Sequence, residues 1–173
     1  MKNILATITL TFTLALSAQA AEVSAKLSGV HLCCGNCVKG VEAAVGKVQG
    51  ATVSVDKDAG TVSLSGPDKA TVQKSADALV AAGYFGQSSD PSIKLNAHTG
   101  AKGKQVQSLK VNDVHLCCGK CVTAVSEALK TVPGVQGNTA AKNAESIEVT
   151  GDFNDKEVFA ALQKAGLTGK VGK

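Results

Sequence analysis

The sequence predicts an α+β fold made of two βαββαβ units in tandem, behind a signal peptide. Three observations predict it. The heptapeptide His31-Leu32-Cys33-Cys34-Gly35-Asn36-Cys37 returns as His115-Leu116-Cys117-Cys118-Gly119-Lys120-Cys121. The interval, 115 minus 31, is 84 positions, and each unit is roughly 70 residues, a size at which small domains fold alone. Around both copies, alternating apolar and polar runs give way to apolar residues at helical spacing, in the same order.

The first 20 residues read as a processing signal. Lys2 supplies a positive start, Ile4 to Leu16 is an apolar run too short to span a bilayer, and Ala18-Gln19-Ala20 is a small-x-small cleavage site. The expected mature chain is therefore exported, and periplasmic in a cell with two membranes. No later stretch is apolar for long enough to embed it in a membrane. The domains are expected at 21–95 and 106–173, with 96–105 as a flexible linker poor in residues that pack.

Unit one opens with the alternating run Val23-Ser24-Ala25-Lys26-Leu27, a half-buried strand. After the cysteines, Val38, Val41, Ala44, Val45 and Val48 recur at helical spacing, and Gly50 closes that helix. Thr52-Val53-Ser54-Val55 and Thr61-Val62-Ser63-Leu64 form a hairpin around the Asp56–Gly60 turn. Pro67 and Asp68 start a second helix, with Gly83 just past its end. Ser92-Ile93-Lys94-Leu95 is the expected last strand. Unit two repeats the order. Ser108–Val111 is a strand, and Val122, Val125, Leu129 and Val132 stripe a helix. Ile147 and Val149 mark the hairpin's second strand. Asn154 with Glu157 caps a final helix, and a short strand lies near Val171.

Composition narrows the function. The net charge is only +4, there is no Trp, and aromatics make up 3% of the chain. Apart from His, every basic residue is Lys, whereas bidentate grips on phosphates or base edges use Arg. Nucleic acid is not an expected partner.

All six cysteines lie in the two heptapeptides. Cys34 with Cys37, and Cys118 with Cys121, are C-x-x-C pairs at strand-to-helix junctions. Three residues apart on a first turn, two sulfurs can point the same way. The helix N-terminus, with its free N–H groups, favours thiolate over thiol. Thiolates are soft ligands that select Cu(I), Zn and other thiophilic ions. Disulfide stapling is the ordinary alternative in an exported protein. It fits poorly here, because three cysteines per unit cannot all pair and these cluster locally.

A βαββαβ unit with C-x-x-C after its first strand resembles the heavy-metal-associated domain, and the resemblance covers both units. It implies a ferredoxin-like fold and places the metal cysteines at Cys34, Cys37, Cys118 and Cys121. The family pattern G-M-x-C-x-x-C has Met where Leu32 and Leu116 stand, and Gly where His31 and His115 stand. Ala82-Gly83-Tyr84 is similar to the A-G-Y that ends the second helix in many bacterial members, where Tyr lies near the metal loop. Unit two has Ala165-Gly166-Leu167 instead. Cys33 and Cys117 are additions to the pattern, and a third thiolate favours three- or four-coordinate binding.

His31 and Cys33 are two apart and share a face if the strand continues. The imidazoles of His31 and His115 are then either polar residues on an exposed sheet face or fourth ligands of Cys₃His sites. The expected function is that of a non-enzymatic, exported binder of a soft transition or heavy-metal ion. Cu(I) and Zn lead, with Hg also within reach. It would pass metal to a metal-transporting membrane protein or another carrier, and one ion could bridge the two domains. The competing reading is a thiol–disulfide oxidoreductase using the same pairs. That reading lacks an aromatic before the motif, and Pro67, Pro91 and Pro133 all stand at element boundaries.

Overall fold

Leu27, Leu64 and Val41 come from three different elements and are each completely buried. They show how each unit is layered, with two helices against one face of a sheet. The computed structural model describes residues 22–173, so the expected signal peptide, residues 1–20, lies outside the described residues.

Unit one runs β1 (Val23–Ser28), α1 (Gly35–Val45), β2 (Thr52–Asp56), β3 (Thr61–Gly66), α2 (Lys69–Ala81) and β4 (Gln87–Ser88). Its antiparallel sheet has the order β2-β3-β1-β4. Unit two runs β5 (Gln105–Asn112), α3 (Gly119–Lys130), β6 (Val135–Asn138), β7 (Ser146–Asn154), α4 (Asp155–Lys164) and β8 (Lys170–Val171). Its sheet has the equivalent order, β6-β7-β5-β8. The expected βαββαβ order is thus present twice.

Alternation and helical spacing place the core as the sequence suggests. Ala25 and Leu27 of β1 and Val62 and Leu64 of β3 point inward. α1 buries Cys37, Val41, Ala44 and Val45, and α3 buries Cys121, Val125, Ala128 and Leu129. Asp68 caps α2 by accepting the Thr71 N–H at 2.7 Å, and Asn154 caps α4 by accepting the Lys156 N–H at 3.0 Å.

Two local expectations differ from the structure. The last strand of unit one is Gln87–Ser88, not 92–95. Gly86 brings the chain against the end of β1, where a Cβ would lie only 2.7 Å from the Ser28 carbonyl oxygen. Pairing therefore starts there and extends to Ser89, whose N–H reaches the Lys26 carbonyl. By residue 92 the chain has left the edge. Ile93 still packs into the core, while Gln73 of α2 hydrogen-bonds both backbone groups of Lys94.

The stretch expected as a flexible linker is also tied down. The buried Asp155 carboxylate accepts N–H groups from Lys102 (2.9 Å), Gly103 (2.6 Å) and Lys104 (2.9 Å). The Thr99 carbonyl accepts the Val171 N–H, and Gln105 already belongs to β5. Sequence composition cannot reveal this, because the partner lies 51 to 53 residues downstream.

The two units dock face to face in pseudo-twofold fashion. Their buried apolar residues form one continuous cluster. Tyr84 and Leu167, which follow the two Ala-Gly corners, form an antiparallel bridge. Thr168 N–H donates to the Gly83 carbonyl at 2.9 Å, and Phe85 N–H donates to the Gly166 carbonyl at 3.1 Å. Gly83 (φ +85°) and Gly166 (φ +78°) press on the segment before the other unit's heptapeptide. A Cβ on Gly83 would stand 2.6 Å from His115 N, and one on Gly166 would stand 2.5 Å from His31 N.

Candidate metal centre

Cys34 and Cys118 are the N-cap residues of α1 and α3, both with extended backbone. No side chain caps either helix, so the free N–H groups at that end face the sulfurs. Cys37 and Cys121, one turn in, have no exposed surface. Leu32 and Leu116 fill the core beneath the loops, as the resemblance implies. Cys33 and Cys117 lie between these buried leucines and the caps.

Docking brings all six sulfurs together. Within unit one, Cys37 Sγ is 3.6 Å from Cys33 Sγ and 3.8 Å from Cys34 Sγ. Within unit two, Cys121 Sγ is 3.7 Å from Cys117 Sγ and 3.8 Å from Cys118 Sγ. Across the interface, Cys33 is 3.3 Å from Cys118 and 3.4 Å from Cys121. Cys117 is 3.6 Å from Cys34 and 3.5 Å from Cys37, and Cys37 is 3.8 Å from Cys121. All six thiols are free.

The histidines join the cluster, and neither is the exposed sheet residue that alternation allows. A ring nitrogen of His31 lies within 4.8 Å of the sulfurs of Cys33 and Cys121. A ring nitrogen of His115 lies equally close to Cys37, Cys117 and Cys121. Burial lowers the pKa of both imidazoles, and for His115 the nearby charge of His31 adds to the effect.

The two rings differ in their partners. Tyr84 Oη is 2.9 Å from the Cys37 carbonyl oxygen and 3.0 Å from His115 Nε2. A carbonyl only accepts, so the single phenolic proton goes to Cys37. His115 Nε2–H must then donate to the phenol oxygen, which leaves Nδ1 with its lone pair. The rings stack with centroids 4.5 Å apart. Gly40 is bare because the Tyr84 hydroxyl and the His115 ring occupy the space of a Cβ. On the other side Leu167 replaces Tyr84, and His31 Nε2 is buried with no hydrogen-bond partner.

The electrostatics of the thiols follow from position. Cys118 is lowered to about 6 by the Cys121 backbone N–H and then by the thiol of Cys33. Burial, and then hydrogen bonds given to neighbouring sulfurs, raise Cys33 and Cys117. Cys121 is pushed up to about 11 by burial. At Cys37 burial also opposes ionisation, but hydrogen bonds from Cys117 and Cys33 outweigh it and lower the value. The cap thiol Cys118 is a ready anion that accepts from Cys33, while Cys117 donates to Cys37 and Cys34.

The structure therefore unites every residue singled out in the sequence: Cys33, Cys34, Cys37, Cys117, Cys118, Cys121, His31 and His115. The sequence did not reveal the cross-unit bond of Tyr84 or the fit of Gly40, Gly83 and Gly166. The only signal for the interface was the repeated Ala-Gly corner.

The chain matches no curated protein. Among solved structures it is similar to a copper binding domain from HMA7, a P-type ATPase, with 21% identity and a TM-score of 0.36. That match covers 39% of this chain and 96% of the other. It is also similar to the apo HMA domain of a copper chaperone for superoxide dismutase, with 26% identity and a TM-score of 0.35. Coverage there is 49% of this chain and 85% of the other. The N-terminal soluble domains of Bacillus subtilis CopA give 14% identity and a TM-score of 0.34, covering 88% and 95%. Residues 108–168, most of unit two, match the family described as "Heavy-metal-associated domain".

Proposed function

We propose that this protein binds soft heavy-metal ions as cargo through the thiols of both heptapeptides and passes them on without catalysing a reaction. The six-thiol cluster carries the reading, because each sulfur stands within 3.8 Å of another across the unit boundary. The heavy-metal-associated match over 108–168 supports it. Unit one, with the same heptapeptide and the same strand order, is read as a second domain of that kind, giving domains at 21–95 and 106–173.

The donor set fits such cargo. Thiolates and imidazoles suit Cu(I) and Zn. Among the described residues, none of the candidate ligand groups includes a carboxylate, the ligand of harder cations. Cu(I) is the leading ion, because sulfur dominates the donor set and thiolates select soft ions. Zinc is the second reading, and one observation favours it. Cys37, His115, Cys117 and Cys121 form a Cys₃His group whose ligand atoms lie within 4.8 Å of one another, and the Tyr84 hydroxyl orients the His115 ring. The oxidoreductase reading is not favoured, because the cluster offers no isolated dithiol pair.

Residues 1–20 are read as an export signal, which places the carrier in the periplasm. Among the described residues, no helix is long and apolar enough to cross a membrane. The partner is read as a metal-transporting membrane protein or another thiol carrier. Transfer proceeds by ligand exchange, the incoming thiolate joining before one of the six leaves.

Native mass spectrometry of the reduced chain, loaded with Cu(I) or Zn(II) against millimolar glutathione, tests the function. Metal should be retained, and its retention should fall at least about tenfold in Cys34→Ser/Cys118→Ser, since serine suits both N-cap positions but offers no thiolate. A wild-type chain stripped by glutathione overturns the reading.

A further inference from the structure

The extra cysteine of each heptapeptide, Cys33 or Cys117, stands nearer to the other unit's C-x-x-C pair than to its own. Cys34 and Cys118 have extended backbone, φ −159° and −154°. Successive side chains along extended backbone point to opposite sides. Cys33 Sγ accordingly forms no S–H···S hydrogen bond with Cys34 Sγ, nor Cys117 Sγ with Cys118 Sγ. Beside one contact to the buried cysteine of its own unit, each makes two across the interface.

From this geometry we infer that the chain holds two metal sites completed in trans, Cys34–Cys37–Cys117 and Cys118–Cys121–Cys33. The inference rests on the metal-carrier reading above and deepens it. The first triad has edges of 3.8, 3.6 and 3.5 Å. The second has edges of 3.8, 3.3 and 3.4 Å. A triangle with these edges has its centre about 1.9–2.2 Å from each sulfur, slightly inside the ~2.3 Å of a zinc–thiolate bond. A small outward movement of the thiols thus makes each triad a trigonal site. The two triads share no sulfur and together use all six. Other three-sulfur sets in the cluster, such as Cys33–Cys37–Cys121, share an edge with one of these two. No other division of the six sulfurs into two triads has an S–H···S contact along every edge.

His31 stands on the same side, with a ring nitrogen close to the sulfurs of Cys33 and of Cys121 in unit two. On binding, an S–H bond breaks for each thiol still protonated and an S–metal bond forms. The proton goes to solvent, and the ion, supplied as Cu(I), keeps its oxidation state. Each unit supplies two ligands to its own ion and one to its sister's, so loading couples to docking.

The test isolates one site at a time, with Cu(I) as the probe under anaerobic conditions. In the full chain carrying Cys118→Ser/Cys121→Ala, only the site of unit one remains. X-ray absorption should count three sulfurs around one Cu(I). Adding Cys117→Ser should lower the count to two, and adding Cys33→Ser should leave three. Loss on Cys33→Ser, with none on Cys117→Ser, means completion within the unit and overturns the inference. Two sulfurs in every variant means a plain C-x-x-C site and also overturns it. The mirror background, Cys34→Ser/Cys37→Ala, exchanges the roles of Cys33 and Cys117 and decides the matter if the first does not fold. A wild-type chain that binds no Cu(I) defeats the carrier reading itself, whereas these sulfur counts defeat only the completion in trans.

Discussion

The Tyr84 hydroxyl of unit one stands 3.0 Å from His115 Nε2 of unit two while donating to the Cys37 carbonyl at 2.9 Å. One phenol thus ties the metal loop of its own unit to the histidine of the other. The equivalent residue, Leu167, can do neither, so the pseudo-twofold cluster is asymmetric in its second layer of contacts.

Tyr84→Phe should leave the buried imidazole N–H of His115 without a partner and the Cys37 carbonyl with only its helical one. We expect a loss of about 1–3 kcal/mol, read by urea denaturation of the metal-free, reduced chain. An unchanged midpoint would mean that water or a small shift replaces both bonds.

Tyr84 is the only tyrosine, and the chain has no Trp, so its ionisation can be followed directly by ultraviolet absorbance. Burial first, then the negative charge of Cys37, raise its pKa above the ordinary value. A raised acid is protonated longer in the folded chain, so its contribution to stability is complete below about pH 10 and is lost as pH rises further. Tyrosinate should therefore be absent near pH 10 in the folded protein and emerge only at higher pH, by titration or by unfolding. A normal titration curve would place the phenol in solvent.

Asp155 is 6% exposed and accepts three backbone N–H groups from 102–104. Burial opposes its ionisation, but those donors outweigh burial and lower its pKa. Its contribution is thus complete above about pH 4 and is lost as pH falls through the depressed value. Asp155→Ala should remove about 1.5–3 kcal/mol at pH 7 and progressively less below pH 4. Hydrogen exchange at Lys102, Gly103 and Lys104 should accelerate in the same variant. Unchanged exchange there would show that the segment is held by other contacts.

Thiol reactivity should be uneven in the metal-free, reduced chain. With its pKa lowered to about 6, Cys118 is largely thiolate at pH 7, whereas Cys33 and Cys117 stay protonated. Iodoacetamide at pH 7 should label Cys118 at least about tenfold faster than either, as mapped by peptide mass spectrometry. Equal rates at all three would indicate that the cluster opens before it reacts.

Gly83→Val should separate the units without unfolding them. Its φ of +85° and the 2.6 Å approach of His115 N leave no space for a side chain. The expected result is an unchanged far-ultraviolet circular dichroism spectrum with a larger hydrodynamic radius. A compact variant would show that the apolar contacts alone hold the interface.

The sequence by itself determined the two βαββαβ units, most of their strands and helices, and the eight candidate ligands. Strand alternation, helical spacing and the caps at Asp68 and Asn154 are local, and local patterns are written in consecutive residues. It misplaced the last strand of unit one and read 96–105 as a free linker. Gly86 against Ser28, and Asp155 against Lys102–Lys104, are long-range contacts with no local mark. Above all, the heptapeptide names three thiols but not their destination. Only the tertiary structure decided that Cys33 and Cys117 cross to the sister unit, because that choice depends on extended backbone at Cys34 and Cys118 and on how two Ala-Gly corners pack together.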